Sequence, residues 1–344
     1  MKKICVVGRF GDGMNGQTIK TKTITNQLAK IYGENQILKI DTYGGIKKLF
    51  TLPFLMKKVL NECENIIILP AYKGVRVISP SLIFWNKKLN RKLHYVVIGG
   101  WLPEFLKNKK TLSKNLKKFD KIYVETQSMM NALEKMEFRN VCVMPNCKEL
   151  EIVNTENCKL DNNMPLKLCT FSRVTPSKGI DDAIRAVTLV NDKVGKKVFT
   201  LDIFGQISEN DGEWFNSLSK DFPDYINYLG EIKYTETTSV LKNFFLLLFP
   251  TFYSGEGFAG TLIDAYSAGL PVIASDWKYN SELVEDGSTG FILPIKSPQI
   301  WADKLFEIYE NTDLILKMKE NCISKAKEYD INNAIKILTD EIDK

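Results

Sequence analysis

Residues 251–275, TFYSGEGFAGTLIDAYSAGLPVIAS, follow the apolar run FFLLLFP and decide how the second half of the chain folds. The preceding run predicts a buried strand, the glycines predict a turn, and the apolar segment after them predicts a helix that ends at Gly269. A proline and a β-branched run come next, so the stretch contains a strand–helix–strand unit typical of a parallel sheet. Two acids, Glu256 on the turn and Asp264 in the helix, interrupt this pattern.

The same alternation of short apolar runs and helix-length segments continues through the whole chain. Near-continuous apolar strands of this kind are typical of parallel sheets with helices on both faces. The runs are KICVVG, QILKID, NIIILPA, HYVVIGG, KIYVET and NVCVMPN, then LKLCTFSRV, KVFTLDIFG, INYLGEI, FFLLLFPT, PVIASD and GFILP. We therefore expect an α/β protein with two facing, doubly wound Rossmann-like domains and one deep cleft between the carboxyl ends of their strands.

The domain boundaries follow from composition. A polar, Asn-rich segment after Asn146 is the expected linker, which divides the chain into domains over residues 1–160 and 161–325. From Pro298 onward the pattern predicts two or three amphipathic helices and no further strand. The last of them, over residues 326–344, is expected to cross back to the first domain.

Bulk composition indicates a folded globular chain. Its 344 residues are 44% hydrophobic and 26% charged, and the length favours two domains of ordinary size. No apolar stretch reaches the roughly 18 residues that a membrane-spanning helix needs, which favours the cytoplasm. The seven cysteines are scattered and only one histidine is present, so we expect reduced thiols and no metal site.

The charge of the chain is divided unevenly. Residues 1–165 contain 28 Lys and Arg against 14 Asp and Glu, a net +14, whereas the remaining residues contain 19 against 27, a net −8. In the basic half, lysines alternate with large apolar residues over 44–60, 79–92 and 101–119. This pattern predicts docking to an anionic membrane surface, although ordinary helices with solvated lysine faces would look the same. Nucleic acid fits less well, because no recognition module is present and the acidic half would repel phosphates.

The glycine-flanked acids favour a phosphate-bearing ligand. A turn that opens a helix after a strand presents backbone N–H groups and the positive end of the helix dipole to an anion. Glu256 on such a turn can accept hydrogen bonds from hydroxyl groups beside the phosphate. Asp264 is eight residues further on and would return to nearly the same face of a helix. Taken alone, however, Glu256 also fits a solvated loop residue and Asp264 a buried capping partner.

The segment EGFAGTLIDAYSAGLPVIAS resembles the signature of retaining glycosyltransferases of family four, E-G-F-G-x-x-x-x-E-A-x-A-x-G-x-P-V-I-A-S. The resemblance implies two GT-B domains and a nucleotide-sugar donor, with UDP favoured by family habit and no cofactor. Asp264 stands where the family has Glu, so its reach to the donor is shorter by one methylene. The residues implied to bind the donor sugar, phosphate and ribose are Glu256, Phe258, Ala259, Gly260, Thr261 and Asp264.

A second segment, FSRVTPSKGIDDAIRAV at residues 171–187, resembles the family motif that follows the first strand of the donor domain. It implies that Arg173 and Lys178 neutralise the departing diphosphate, since paired cations stabilise charge that develops on phosphate oxygens. The segment YLGEIKYTE implies that the backbone near Gly230 and Ile232 receives the nucleotide base. The glycine-rich turn after the first strand implies that Gly16 approaches the diphosphate.

One family feature is missing. Many members carry a histidine at the end of the fourth strand, but here that strand ends in glycines, and the single histidine, His94, lies at its start as expected for a buried scaffold residue. A retaining enzyme of this type does not require an enzymic nucleophile. Asp12 and Glu104 are the candidate bases. The candidate residues on the acceptor side are Gly99, Gly100, Trp101 and Glu104.

The sequence therefore predicts a metal-independent hexosyltransferase. Its acceptor would be a glycan or a lipid-linked sugar in surface polysaccharide synthesis, at the inner face of the cell membrane. Two alternatives stay open at this stage: a sugar-nucleotide epimerase with the same fold, and a catalytically silent GT-B partner subunit.

Overall fold

The computed structural model describes residues 1–11, 16–154 and 164–344, apart from the side chains of residues 45–50. The chain divides into two compact units, of which the first contains residues 1–149 and 329–344 and the second residues 150–328. The first segment of the first unit therefore ends at Glu149, whereas composition placed the domain boundary at residue 160. No helix of the described part is long and apolar enough to cross a bilayer.

Twelve strands form two six-stranded parallel sheets. Each of the twelve apolar runs is a strand, which confirms the predicted fold of two Rossmann-like units. The strands are β1 (Lys2–Gly8), β2 (Ile37–Asp41), β3 (Cys63–Ile68), β4 (Lys92–Val96), β5 (Lys121–Val124), β6 (Val141–Val143), β7 (Leu166–Phe171), β8 (Phe199–Phe204), β9 (Ile226–Gly230), β10 (Leu246–Phe249), β11 (Val272–Ser275) and β12 (Gly290–Leu293).

Helical segments connect the strands, as parallel pairing requires. They are α1 (Gly16–Tyr32), α2 (Gly45–Glu62), α3 (Tyr72–Asn86), α4 (Leu102–Leu106), α5 (Lys110–Leu116), α6 (Gln127–Glu134), α7 (Ile180–Val194), α8 (Gly212–Ser219), α9 (Thr237–Leu241), α10 (Gly260–Ser267), α11 (Asn280–Leu283), α12 (Pro298–Glu310), α13 (Asp313–Ala326), α14 (Ile331–Ala334) and α15 (Lys336–Ile342).

The first unit has the strand order β2-β1-β3-β4-β5-β6. Its core combines the buried strand residues with the C-terminal helices: Ile331, Leu338 and Ile342 belong to the same apolar cluster as Ile4 and Val6. The chain forms two short helices, α14 and α15, where one had been expected over 326–344. Only Ile335 separates them, and the carboxylate of Asp330 caps the first.

The second unit has the strand order β12-β11-β10-β7-β8-β9. Counted from β7, this is the 3-2-1-4-5-6 order of Rossmann dinucleotide-binding sheets. The order reverses between β7 and β10, which pair directly through Leu168 and Leu246. In such sheets the ligand binds outside the carboxyl ends of the strands at this switch point. The fold therefore directs attention to the loops after β7 and β10.

Candidate functional site

Lys178 lies in the loop that follows β7, at the end of the short 3-10 turn Pro176–Lys178. The next residue, Gly179, has a φ of 70° and lies against the loop after β10: a Cβ atom there would be 2.2 Å from the carbonyl oxygen of Pro250. The N–H of Phe252 also donates to the carbonyl of Ser177 at 2.8 Å. Only glycine combines a positive φ with such a close approach to Pro250, so Gly179 allows the turn that carries Lys178 to pack against the end of the neighbouring strand.

Lys178 and Glu256 form an ion pair at the switch point. The Lys178 Nζ donates to Glu256 Oε2 at 2.5 Å, and the two side chains are only 13% and 10% exposed. Thr251 Oγ1 donates to the same carboxylate oxygen at 2.8 Å. The rings of Phe249 and Tyr253 lie 5.4 and 5.2 Å from the ammonium, close enough for cation–π attraction. The ammonium group is therefore held in one place by a carboxylate and two aromatic faces.

Behind this pair, a buried polar network fixes the loop after β10. Ser275 Oγ donates to the carbonyl of Thr251 at 2.5 Å, and the Asn280 side-chain amide donates to the carbonyl of Ser275 at 3.0 Å. Thr251, Ser275 and Asn280 are all fully buried. Buried polar groups in such a chain rigidify the segments that they join. The network thus positions Glu256 through Thr251.

Helix α10 begins beside this pair, at Gly260, directly after its N-cap residue Ala259. Ala259 has no side-chain group that could cap the helix, and the backbone N–H groups of a first helical turn suit an anionic ligand. The Thr261 hydroxyl donates to the carbonyl of Phe171 at 2.9 Å and ties the helix to the end of β7. Any contact between Thr261 and a phosphate would therefore come from its backbone N–H.

Asp264 lies one turn into α10 and is partly buried. Glu256 lies on the turn before the helix, as expected, but the helix starts only at Gly260, so Asp264 lies one turn into it and the eight-residue helical spacing between the two acids does not apply. Phe258 and Ala259, by contrast, are buried in the turn between Glu256 and the helix.

The other predicted donor residues lie at the carboxyl edge of the same sheet. Arg173 follows the end of β7 after one residue and is exposed. Gly230 ends β9 with a φ of 75°, its carbonyl accepts from the N–H of Gly205 at 2.8 Å, and Ile232 follows partly buried. β9 is two strands away from β7, a separation of roughly 10 Å at the usual spacing. The residues predicted to contact the base, the phosphates and the sugar therefore all lie at the carboxyl edge of the second sheet.

The predicted acceptor-side residues of the first unit belong to the loop after β4. Gly99 has a φ of 82°, and its N–H donates to Glu125 Oε2 at 3.1 Å. After Gly100, Trp101 packs edge-to-face against Tyr72 and Phe105. Glu104 is 77% exposed and pairs with Lys107, so the structure gives it the contacts of an ordinary surface residue.

Gly16 is exposed at the start of α1. Asp12 lies outside the described residues.

The sequence did not predict a buried ion pair that supports the loop after β4. Lys20 Nζ donates to Glu125 Oε1 at 2.6 Å, and both side chains are 2% exposed. The two residues are 105 positions apart, and neither lies in a recognisable motif. Through its second oxygen Glu125 holds Gly99, so the pair supports the loop after β4.

His94 is buried, as predicted. Its ring nitrogens lie 3.1 Å from the Tyr123 hydroxyl and 3.3 Å from the Asn65 side-chain oxygen. Burial lowers the pKa of His94 to about 4. Within the described ranges, no group of three His, Cys, Asp or Glu residues is arranged to hold a metal ion.

Two doubly wound units are the architecture of the GT-B fold, and a cation–carboxylate pair lies at the switch point of the second. The family model described as glycosyl transferases group 1 matches residues 155–329, about half of the chain. This chain belongs to that family.

Relatives and solved structures agree with this assignment. The chain is 28% identical over 186 residues to the GtfA subunit of the UDP-N-acetylglucosamine–peptide N-acetylglucosaminyltransferase of Streptococcus pneumoniae, in an alignment that covers 52% of this chain and 34% of GtfA. It is 26% identical over 228 residues to the poly(ribitol-phosphate) alpha-N-acetylglucosaminyltransferase of Staphylococcus aureus, covering 64% and 44% of the two chains. The match therefore spans less than half of either relative.

Among solved structures, the fold is similar over full length to Anabaena HepE in complex with UDP-glucose, with a TM-score of 0.73, 14% identity and complete coverage of both chains. The lipopolysaccharide outer core galactosyltransferase WaaB gives a TM-score of 0.73, 15% identity and 99% coverage of both. At these identities the likeness establishes the shared fold.

Proposed function

We propose that this protein is a retaining glycosyltransferase of family four that moves a sugar from a UDP-sugar to a glycan or lipid-linked acceptor. The observation that carries the proposal is the pair formed by Lys178 and Glu256 beside the N-terminus of α10, at the switch point of the second sheet. A cation, a carboxylate and a helix N-terminus together suit a sugar joined to a diphosphate. Relatives named for UDP-N-acetylglucosamine transfer and a fold shared with a UDP-glucose complex support this donor class.

Each predicted donor residue has a role in this proposal. Arg173 and Lys178 stabilise the negative charge that grows on the leaving diphosphate. Glu256 orients the sugar, and the backbone from Phe258 to Thr261 contacts the sugar and phosphate. Asp264 binds the ribose, directly or through a water molecule. Gly230 and Ile232 receive the base, and Gly16 approaches the diphosphate.

The proposed reaction breaks the bond between the anomeric carbon and the phosphate oxygen. The acceptor hydroxyl forms the new bond on the same face, and its proton passes to the departing diphosphate oxygen, so the anomeric configuration is retained. Positive charge from Arg173, Lys178 and the helix dipole takes the part that a divalent cation plays elsewhere, and we propose that no metal is required.

The first unit supports an acceptor at a membrane. Phe54 on α2 and Phe84 on α3 are 75% and 59% exposed, and Lys87 Nζ lies 5.8 Å from the Phe84 ring centroid. Exposed aromatic side chains among cations are typical of proteins that dock on anionic lipid. We therefore propose peripheral binding at the cytoplasmic face of the membrane, in surface polysaccharide synthesis.

Nucleotide release with a panel of nucleotide sugars tests the proposal. We expect one UDP-sugar to bind selectively and release UDP only when membrane lipid extract is added, with an α-configured donor giving an α-linked product. Conversion of the sugar without an acceptor would indicate an epimerase instead. Donor binding without release, under all acceptors, would indicate a silent subunit.

A further inference from the structure

A second charged site lies in the first unit, next to the acceptor-side candidate Glu104, which pairs with Lys107 of its lining. A cavity of about 610 Å³ opens between α3 and the segment from α4 to α5, which is a volume typical of small-molecule sites. Its lining combines cations with neutral hydrogen-bonding groups and the apolar side chains of Pro80 and Leu112. The nine lining residues are Arg76, Pro80, Lys107, Asn108, Lys109, Lys110, Thr111, Leu112 and Asn115.

The lining is strongly cationic. Four of its residues are Lys or Arg, and within the described ranges none is acidic. Lys107 pairs with Glu104, and Lys109 Nζ lies 4.2 Å from the centroid of the Phe105 ring. Arg76, Lys109 and Lys110 have no carboxylate within salt-bridge distance among the residues that the structure describes. Cations that line one cavity favour an anionic ligand, and a phosphate group supplies up to two negative charges and three acceptor oxygens.

The surroundings of the cavity point to a phosphate carried by a lipid. Arg76, Pro80 and Phe84 are spaced four residues apart on α3, so they follow one another along one side of the helix with about 40° between neighbours. Phe84, 59% exposed, therefore lies roughly 6 Å along the helix from the cavity lining. Its ring contacts Trp85 edge-to-face, and Lys87 Nζ lies 5.8 Å from its centroid. An apolar, cation-flanked residue beside an anion cavity suits a ligand with a charged head and an apolar tail.

The position in the fold agrees with such a role. Helix α3 starts at Tyr72, four residues after β3 ends, so Arg76 lies one turn from the carboxyl edge of the first sheet. The segment that follows β4 supplies the lysines, which line the same cavity as Arg76. Ligands of doubly wound sheets bind at this edge.

We propose that this cavity binds the phosphate group of a lipid-linked acceptor, with Arg76, Lys109 and Lys110 as its ligands. The inference rests on the proposed function in one respect, the identity of the lipid as acceptor. The binding of a phosphomonoester lipid by these residues is tested independently of it.

The probe is a phosphatidylcholine vesicle that contains phosphatidate, compared with one that contains phosphatidylserine at equal charge. The full chain should bind phosphatidate vesicles more tightly, and inorganic pyrophosphate should compete. Each interfacial cation contributes roughly fivefold to affinity, so the triple variant R76A/K109A/K110A should bind about a hundredfold more weakly. The matched control K118A/K135A/R139A removes three exposed cations before β5 and near β6 and should lose little.

Several results would overturn the assignment. Equal losses of affinity in the pocket and control variants would show that general surface charge, and not this cavity, binds the vesicles. Equal binding of phosphatidate and phosphatidylserine vesicles would show that the chain does not prefer a phosphomonoester. UDP binding, measured on every variant, checks that the chain is folded and separates this site from the proposed function. Normal UDP-sugar binding without phosphatidate binding refutes the pocket alone, whereas phosphatidate binding without any nucleotide-sugar binding refutes the transferase and leaves the pocket standing.

Discussion

The charge of Lys178 is the most direct test of the candidate site. In the variant Lys178→Met the side chain keeps its apolar stem between Phe249 and Tyr253 but loses the ammonium that contacts Glu256 at 2.5 Å. Removing one preorganised electrostatic contact to a developing charge typically lowers kcat by about 10²- to 10³-fold. We expect that loss in the single-turnover rate of UDP release, with a much smaller change in donor affinity.

The same substitution also carries a cost in stability. The Glu256 side chain is 10% exposed, and its carboxylate interacts with Lys178 and Thr251. Without the ammonium of Lys178, only the Thr251 hydroxyl of these two partners remains. Breaking a fully buried pair costs roughly 3–5 kcal/mol, and the residual exposure here places the expected loss nearer 2–3 kcal/mol. Urea unfolding measures this loss of free energy directly.

A second variant separates the two effects. In Lys178→Met/Glu256→Gln the unpaired charge is gone, so most of the lost stability should return while the rate of UDP release stays low. The control is Lys193→Met, which breaks an exposed pair with Asp303 in the same unit and should change the unfolding free energy by at most about 1 kcal/mol. A rate for Lys178→Met within threefold of the unmodified chain, or recovery of that rate in the double variant, would refute the reasoning.

Four further predictions follow from the contacts described. Asp264→Ala should weaken UDP binding about tenfold or more by calorimetry while kcat changes little, with Asp264→Glu as the conservative control; an unchanged affinity would remove Asp264 from the donor site. Gly179→Ala should lower stability by at least about 2 kcal/mol and also lower kcat, since its Cβ would collide with Pro250 at a φ of 70°; a variant as stable and active as the parent contradicts the docking of this turn. Burial lowers the pKa of His94 to about 4, so between pH 6.5 and 4 the unfolded chain binds more protons than the folded chain, and the free energy of unfolding falls by about 3 kcal/mol as the pH drops through this window. Urea unfolding of His94→Asn should show a flatter pH dependence, whereas an equally steep one would assign the loss to other groups. Excess EDTA should leave UDP release within twofold of its untreated rate, whereas a complete loss that Mg²⁺ reverses would show that a metal takes part.

The fold was readable from the sequence because the inner strands of both parallel sheets are buried on both faces. Runs such as KICVVG and FFLLLFPT have no polar face, and helix-length segments separate them, so all twelve strands could be located. The division of the C-terminal segment was less predictable. Whether residues 326–344 form one helix or two depends on the cap at Asp330 and the packing of Ile331 and Leu338 against β1, which local periodicity does not report.

The candidate site was readable only where its residues lie in one continuous motif. Lys178 and Glu256 stand at recognisable positions next to glycines, but their contact at 2.5 Å joins loops 78 residues apart. Thr251 and Ser275 are ordinary residues at strand ends, with no local signal that distinguishes them from other hydroxyl side chains. The same holds for Lys20 and Glu125, whose burial depends on how α1 packs on the first sheet.

The supporting residues show how the fold itself orients the candidate site. Thr251 and Ser275 follow or end β10 and β11, which are neighbours in the second sheet, so their hydrogen bond forms wherever that pairing forms. Asn280 then joins α11 to Ser275, and Thr251 passes the constraint to Glu256. Because every link is buried, each side chain has few alternative positions, and Glu256 meets its ligand with little conformational entropy left to lose. Thr251→Val should therefore weaken donor binding although Thr251 itself contacts no donor in this proposal, and Thr251→Ser, which keeps the hydroxyl, should restore it.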